Sequence, residues 1–291
     1  MIGRPDRGRV WRSLVAARWP LAAVVILAVV LIVAIFGPWL APADPNRQSL
    51  ALRLAPPLTA GAAGGTFWLG SDGLGRDVLA RLLYGARISL LVGFAAIAVG
   101  GTLGVAAGLC AGYFGGRIDD ATMRLGDMQL AFPFVLLAIM FLVVLGPGLT
   151  NLVLVLGLGQ WVTYARIVRA ETLAVREKEF VEAARALGDS TASILFRTIL
   201  PNILGPLTVI ASFNVASVIL TEAALSFLGL GVPPSVPTWG SMLAESRDTL
   251  LANKWWLAVF PGLAIMLTVL SFNILGDWLR DLLDPRLRER A

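Results

Sequence analysis

The stretch Glu182-Ala183-Ala184-Arg185-Ala186-Leu187-Gly188-Asp189-Ser190, continuing through Thr191 to Leu200-Pro201, is charged and glycine-punctuated and lies between long apolar runs. From Arg166 to Arg197 there are eleven charged side chains. At roughly 3 kcal/mol for each charge held at mid-bilayer, such a segment faces water. Phe180, Ala184 and Leu187 recur at helical spacing on one face, and Glu182 stands three residues from Arg185, within reach of an ion pair on another. The spacing predicts a short amphipathic helix. Gly188 suits the left-handed turn that ends it, and Asp189 or Ser190 suits the cap of a second helix running to Pro201. Helix, glycine turn and helix make a protruding, water-exposed knob.

The rest of the chain belongs in lipid. Of its 291 residues, 57% are hydrophobic and 15% charged. With a mean hydropathy of +0.78, it is too apolar for a soluble globular protein. Trp19 to Ala43, Ile88 to Gly116, Met128 to Ala165, Thr198 to Thr221 and Trp255 to Gly276 contain no charged side chain, and about 20 such residues suffice for a crossing helix. The third gap holds two helices, parted by a tight turn at Gly146-Pro147-Gly148. The expectation is an all-α integral membrane protein with six transmembrane helices, near 20–40, 88–111, 130–149, 152–168, 204–230 and 256–276. Around them lie a tail at 1–19, a loop with an interfacial helix at 41–87, a five-helix core at 88–276 that includes the exposed segment 169–201, and a tail at 277–291.

With the N-terminus inside, the inner segments hold seventeen of the 24 basic residues: Arg4, Arg7, Arg9, Arg12, Arg18, Arg117, Arg124, the six from Arg166 to Arg197, Arg280, Arg286, Arg288 and Arg290. Arg47, Arg53, Arg76, Arg81, Arg87, Arg247 and Lys254 remain outside. The positive-inside bias therefore places both termini and the knob in the cytoplasm. The basic charges are dispersed among short loops with no aromatic-interleaved patch, which argues against nucleic acid. The Arg-rich start imitates a signal peptide, but its apolar run is too long and carries Pro38 and Trp39 before the small-residue site at Ala41-Pro42-Ala43. It reads as a retained span. Cys110, the single cysteine, lies within the second span as a small apolar residue.

In the loop after the first span, Gly70-Ser71-Asp72-Gly73-Leu74-Gly75-Arg76-Asp77 lacks the Gly-Lys-Ser/Thr of a phosphate loop and the closing Glu of a calcium loop. It reads as a turn at Asp72-Gly73 followed by Asp77 as N-cap of an interfacial helix, Val78 to Ala86. Gly100, Gly104, Gly108 and Gly112 recur every fourth residue and form a small-residue face for a partner helix. Glu222 is a lone carboxylate in an apolar span, with Asn214 eight residues before it on nearly the same face. It either belongs to a substrate pathway or gate, or bonds a neighbouring helix or broken backbone. Trp239, Trp255 and Trp256 suit an interfacial belt.

Glu182-Ala183-Ala184, three residues, Gly188, and Leu200-Pro201 resemble the "EAA" loop of permease subunits of bacterial ABC importers; the isoleucine usual two residues before the Leu is Thr198 here. The resemblance implies that Glu182, Ala183, Ala184, Leu187, Gly188, Asp189 and Pro201 form a coupling element that docks in a cytoplasmic ATPase. A second resemblance narrows the family. The run from Gly70 to Leu90, with Gly112-Tyr113-Phe114-Gly115-Gly116, Ala224 to Gly231, Pro237-Thr238-Trp239-Gly240 and Asp284-Pro285-Arg286-Leu287, is similar to C-type permeases of the oligopeptide, dipeptide and nickel importers. That family implies the type I ABC importer permease fold, a heterodimer with a B-type permease, one or two ATPase subunits that bind ATP and Mg, and an extracytoplasmic peptide-binding protein.

The chain has no His, and neither a nucleotide loop nor a carboxylate pair at a cleft is legible, so a membrane-embedded enzyme lacks its parts, and no cofactor or metal site is expected in this chain. A secondary transporter calls for inverted repeats and several embedded charges, and neither stands out. The reading is a multi-pass permease subunit of the bacterial cytoplasmic membrane that moves oligopeptides or dipeptides by alternating access, with a nickel or metal-chelate importer as the alternative.

Overall fold

The computed structural model describes residues 18–61 and 65–283. The expectations for Arg4, Arg7, Arg9, Arg12, Arg286, Arg288, Arg290 and the Asp284-Pro285-Arg286-Leu287 motif lie outside the described residues. In chain order the helices are α1 (Arg18–Leu40), α2 (Val78–Phe114), α3 (Gly116–Leu130), α4 (Phe134–Leu145), α5 (Leu149–Arg176), α6 (Glu179–Ala186), α7 (Thr191–Phe227), α8 (Trp239–Ser246) and α9 (Trp256–Leu283). A two-residue hairpin pairs Thr59 with Phe67 and Ala60 with Thr66. Helices α1, α2, α5, α7 and α9 are long and apolar enough to cross a membrane.

Asp77 starts α2 as an N-cap, accepting from the Leu79 and Ala80 amides. Burial raises its carboxyl above the usual range, and those two N–H groups partly offset the rise. The helix then runs unbroken for 37 residues, so the expected interfacial helix at 78–86 and the span at 88–111 are one element. At 1.5 Å per residue it is about 55 Å long, against a hydrocarbon thickness of about 30 Å. Its first turns therefore stand clear of the lipid. Gly85 does not break it, because the Trp239 ring packs where a Cβ would lie.

The expected span at 130–149 is also corrected. α3 and α4 meet at 86° across Ala131-Phe132-Pro133. Pro133 has no N–H to continue the helix. α3 is tied sideways to α5 by Arg166 to Asp127 and Arg169 to Asp119. Gln129 also donates to the Leu158 and Gly159 carbonyls and accepts from the Trp161 indole. Alone, the 12 residues of α4 reach about 18 Å and do not cross. The sixth span exists only if the bent pair counts as one. The turn after α4 falls at Gly146, with φ +83, and Asn151 Nδ2 donates to the Leu145 and Gly146 carbonyls.

α2 and α5 share the longest contact of the fold. A Cβ on Gly100 would lie 2.4 Å from the Gly157 carbonyl oxygen, on Gly104 2.4 Å from that of Trp161, on Gly108 2.6 Å from that of Ala165, and on Gly112 2.6 Å from Thr172 Cβ. The four glycines therefore bring two backbones together where lipid offers no hydrophobic drive between helices. α7 packs on this pair, α9 packs on α7, and α1 packs against α2 and α9.

Gly101 provides the control for this seam, since a Cβ there meets only the Tyr164 ring at 3.8 Å. Gly104→Ala is expected to destabilise the detergent-solubilised protein by about 1–3 kcal/mol through overpacking, read as a lower thermal midpoint. Gly101→Ala is expected to leave it equal or higher, because alanine favours helix by up to about 1 kcal/mol.

Candidate functional site

At the end of the bundle reached by the last turn of α5, Lys178 takes an extended conformation and breaks α5 from α6. Glu179 and Glu182 lie in the first turn of α6, where the helix dipole favours them. Val181 and Ala184 are buried and pack in a cluster with Ile194, Leu195 and Ile199 from α7 and Leu109 from α2. This corrects the expected face of Phe180, Ala184 and Leu187. Only Ala184 of the three turns inward, Phe180 is partly exposed, and Leu187 is 86% exposed. The expected Glu182–Arg185 pair is also replaced, because the Arg185 guanidinium lies over the Tyr113 ring at 5.1 Å.

The turn itself forms at Gly188. Its φ is +83, its N–H donates to the Arg185 carbonyl, and the Asp189 N–H donates to the Ala184 carbonyl. This is a Schellman closure with glycine in the left-handed position. No atom lies within 4 Å of a Cβ at Gly188, so the constraint is backbone conformation alone. Ser190, not Asp189, caps α7, accepting from the Ser193 amide. Glu182, Ala183, Leu187, Gly188 and Asp189 thus share one exposed corner.

Pro201 does not end the second helix. It stands exposed on α7, which is wound with i to i+5 hydrogen bonds over Ile194–Ile199 just before it. Asn202 Nδ2 donates to the Thr198 carbonyl there. Arg176 ties the base of the knob to α2 by donating to the Gly112 and Tyr113 carbonyls.

Glu222 sits near the opposite end of α7 and is 1% exposed. Its Oε1 accepts from Ser226 Oγ at 2.8 Å and from Thr238 Oγ1 at 2.9 Å. Thr238 also caps α8 in a capping box with Ser241. The Trp239 amide donates to Ser89 Oγ and its indole to the Leu82 carbonyl. Glu222 therefore clasps the start of α8 to α7, beside Gly240, whose Cβ would lie 2.6 Å from Ala223 Cα. Asn214 is not brought to it. Its Nδ2 is buried near the Tyr164 hydroxyl of α5 without the geometry of a hydrogen bond. Trp239 and Trp256 are likewise buried clamps and not members of a surface belt, Trp256 donating to the Ser71 carbonyl.

The turn expected at Asp72-Gly73 proves to be the edge of a buried charge cluster. Asp72 Oδ1 accepts from the Leu74 and Arg76 amides. Its Oδ2 takes Arg76 Nε at 2.6 Å and Arg81 Nη1 at 2.9 Å. Both arginines also reach Glu245 of α8, Arg76 at 2.7 Å and Arg81 at 2.9 Å. Sequence reasoning missed this ring. Its one local signal is that Glu245 is the first charge after Glu222. Among the described residues, no group of three or more His, Cys, Asp or Glu side chains could hold a metal ion.

Crossing helices, a helix–glycine–helix knob at one end and a clasped short helix at the other are the build of a multi-span helical membrane protein. Residues 104–289 match the family of binding-protein-dependent transport system inner membrane components. Residues 7–57 match the N-terminal transmembrane domain of oligopeptide transport permease C. The chain is 41% identical to the di/tripeptide transport system permease protein DppC of Pseudomonas aeruginosa, over 97% of this chain and 92% of the relative. It is 40% identical to the dipeptide transport system permease protein DppC of Bacillus subtilis, over 96% and 85%. It is 39% identical to the glutathione transport system permease protein GsiD of Pectobacterium atrosepticum, over 96% and 90%. The chain belongs to the binding-protein-dependent inner membrane components, the multi-pass permease subunits of ABC importers.

The clasp makes a stability prediction. Glu222→Ala leaves the Ser226 and Thr238 hydroxyls without their acceptor and is expected to cost about 1–3 kcal/mol. Glu222→Gln keeps an acceptor oxygen and should cost less. Thermal unfolding in detergent checks the order; equal midpoints for wild type and Glu222→Ala would remove the clasp.

Proposed function

We propose that this permease imports peptides, and that its knob is the element through which partner ATPases drive it. The observation that carries the substrate reading is the near full-length similarity to permeases named for di/tripeptide, dipeptide and glutathione transport. The chain's own chemistry supports it. Nickel held directly by a protein prefers imidazole and other nitrogen or sulfur ligands, and this chain has no His and one Cys. A peptide asks less of a permease, because its backbone can pass a wide, weakly interacting cavity while selection rests with a binding protein.

Phe180, Leu187 and Phe196 are exposed in the same charged segment as the exposed Glu182 and Asp189, and exposed apolar residues rimmed by charge mark protein contacts. In this reading ATP and Mg bind the ATPase subunits, one or two chains in number, and both termini and the knob are cytoplasmic. A B-type permease completes the membrane pair, and an extracytoplasmic binding protein delivers the peptide. Asn214 and Glu222 act on the pathway through α7, Glu222 by holding α8 in place.

The test is ATP hydrolysis by the assembled complex in liposomes. Peptide-loaded binding protein is expected to raise the rate above that with empty binding protein, and nickel alone is expected to leave it unchanged. Stimulation by nickel-loaded binding protein with none from any peptide pool would overturn the peptide assignment.

A further inference from the structure

α8 is a short helix between two bends. Gly229 at φ +82 and Pro233-Pro234 precede it; a tight turn at Arg247–Ala252 and Asn253 at φ +59 follow it. It is fastened at both ends, and the two fastenings differ in kind. The N-terminal one is the clasp at Thr238 and Trp239, buried and tied to α7 and α2 by hydroxyl and amide hydrogen bonds. The C-terminal one is ionic, from Glu245 to Arg76 and Arg81.

Within the ring the four members are not equivalent. Asp72, Arg76 and Arg81 lie within ten residues of one another and are buried, with side-chain exposures of 7%, 6% and 1%. Asp72 fixes the local turn with one oxygen and both arginines with the other. Arg76 is further held by the Pro234 carbonyl. These three form a rigid base of net charge +1. Glu245 neutralises it, comes from a different element, and alone is 33% exposed. A buried ionic base left without its counter-charge is strained. A partner that can step into water costs less to withdraw than one that cannot. Beside the ring is a cavity of about 20 Å³ lined by Asp72, Val78, Arg81, Met242, Glu245 and Leu257, room for a single water. Arg81 Nε, buried in the same place, has no hydrogen-bond partner. The ring thus has a small void and an unpartnered donor beside it.

We propose that Asp72, Arg76, Arg81 and Glu245 are a latch, with Glu245 as its moving arm. The C-terminal end of α8 leaves the arginine base during each transport cycle, pivoting on the Glu222–Thr238 clasp. Glu245 acts as a positioning residue for α8. This rests on the proposed reading of the chain as a permease driven by partner ATPases.

The test uses the assembled transporter in liposomes, with Cys110→Ala and a reporter cysteine at Met242, which is 6% exposed on the cavity side of α8. Maleimide labelling of Met242→Cys is expected to be slow at rest. It should rise about tenfold or more during turnover with ATP, Mg and peptide-loaded binding protein, as for a local opening equilibrium. Glu245→Gln should make labelling fast in both states, raise hydrolysis without binding protein, and lower the stimulation ratio. A merely structural ion pair would lower stability and all rates in parallel. Ser246→Cys, at 2% exposure, repeats the measurement should Met242→Cys fail to assemble. Hydrolysis is followed in the same sample, so loss of ATP coupling shows as absent turnover. Protection of both reporters throughout verified turnover, or unchanged labelling in Glu245→Gln, overturns the latch.

Discussion

The close approach of α2 and α5 is the constraint on which the rest of the structure hangs. Two helices in lipid gain nothing from hiding apolar surface from water, so their association depends on backbones that come near enough for dispersion contacts along their length. Gly100, Gly104, Gly108 and Gly112 meet that need against Gly157, Trp161, Ala165, Val168 and Thr172. The pair then serves both ends of the molecule. Beyond the seam α5 becomes the stem of the knob, with Arg176 pinned to the last carbonyls of α2. In the other direction α2 becomes the platform for Asp77, Arg81 and the buried ring.

α7 joins the same two ends by a second route. It starts under the knob, where Ile194, Leu195 and Ile199 cover Val181 and Ala184, and finishes at the Glu222 clasp on α8. Its first turns are the least regular of the bundle, with i to i+5 winding ahead of Pro201 and Pro206 further along. Irregular winding of this sort recurs at functional positions in helices. In the proposed function, a push on the knob acts on α7 at this weak point and is felt at α8, while the glycine seam stays rigid.

Much of this was legible in the residues, and the misreadings have particular causes. Gaps in charge located the crossing segments because the bilayer penalises each charge directly, and the glycine turns at 146 and 188 follow from backbone sterics at one position. The continuity of α2 was not legible. The expected break lay at Arg87, the last charge before the apolar run, yet Arg87 is exposed inside one helix from Val78 to Phe114, because a charged side chain that reaches water leaves the backbone ladder intact. The bend at Pro133 depends on ties from Asp119, Asp127 and Gln129 to α5, which spacing along the chain does not reveal. Glu222 carried two readings until Thr238 was seen to lie on it. On the knob, helical spacing marked Leu187 as a core residue, yet the chain's end-of-helix turn carries it outward.

The central claim is that the knob held out by this framework is the contact for an ATPase. A photo-crosslinking amino acid in place of Leu187, in the complex purified with its partner subunits, tests that contact most directly. The account predicts an ultraviolet-dependent adduct with an ATPase subunit at position 187 and none when the same group stands at Ala60. An ATPase adduct at position 60, with position 187 linked to the binding protein or to nothing, would contradict it.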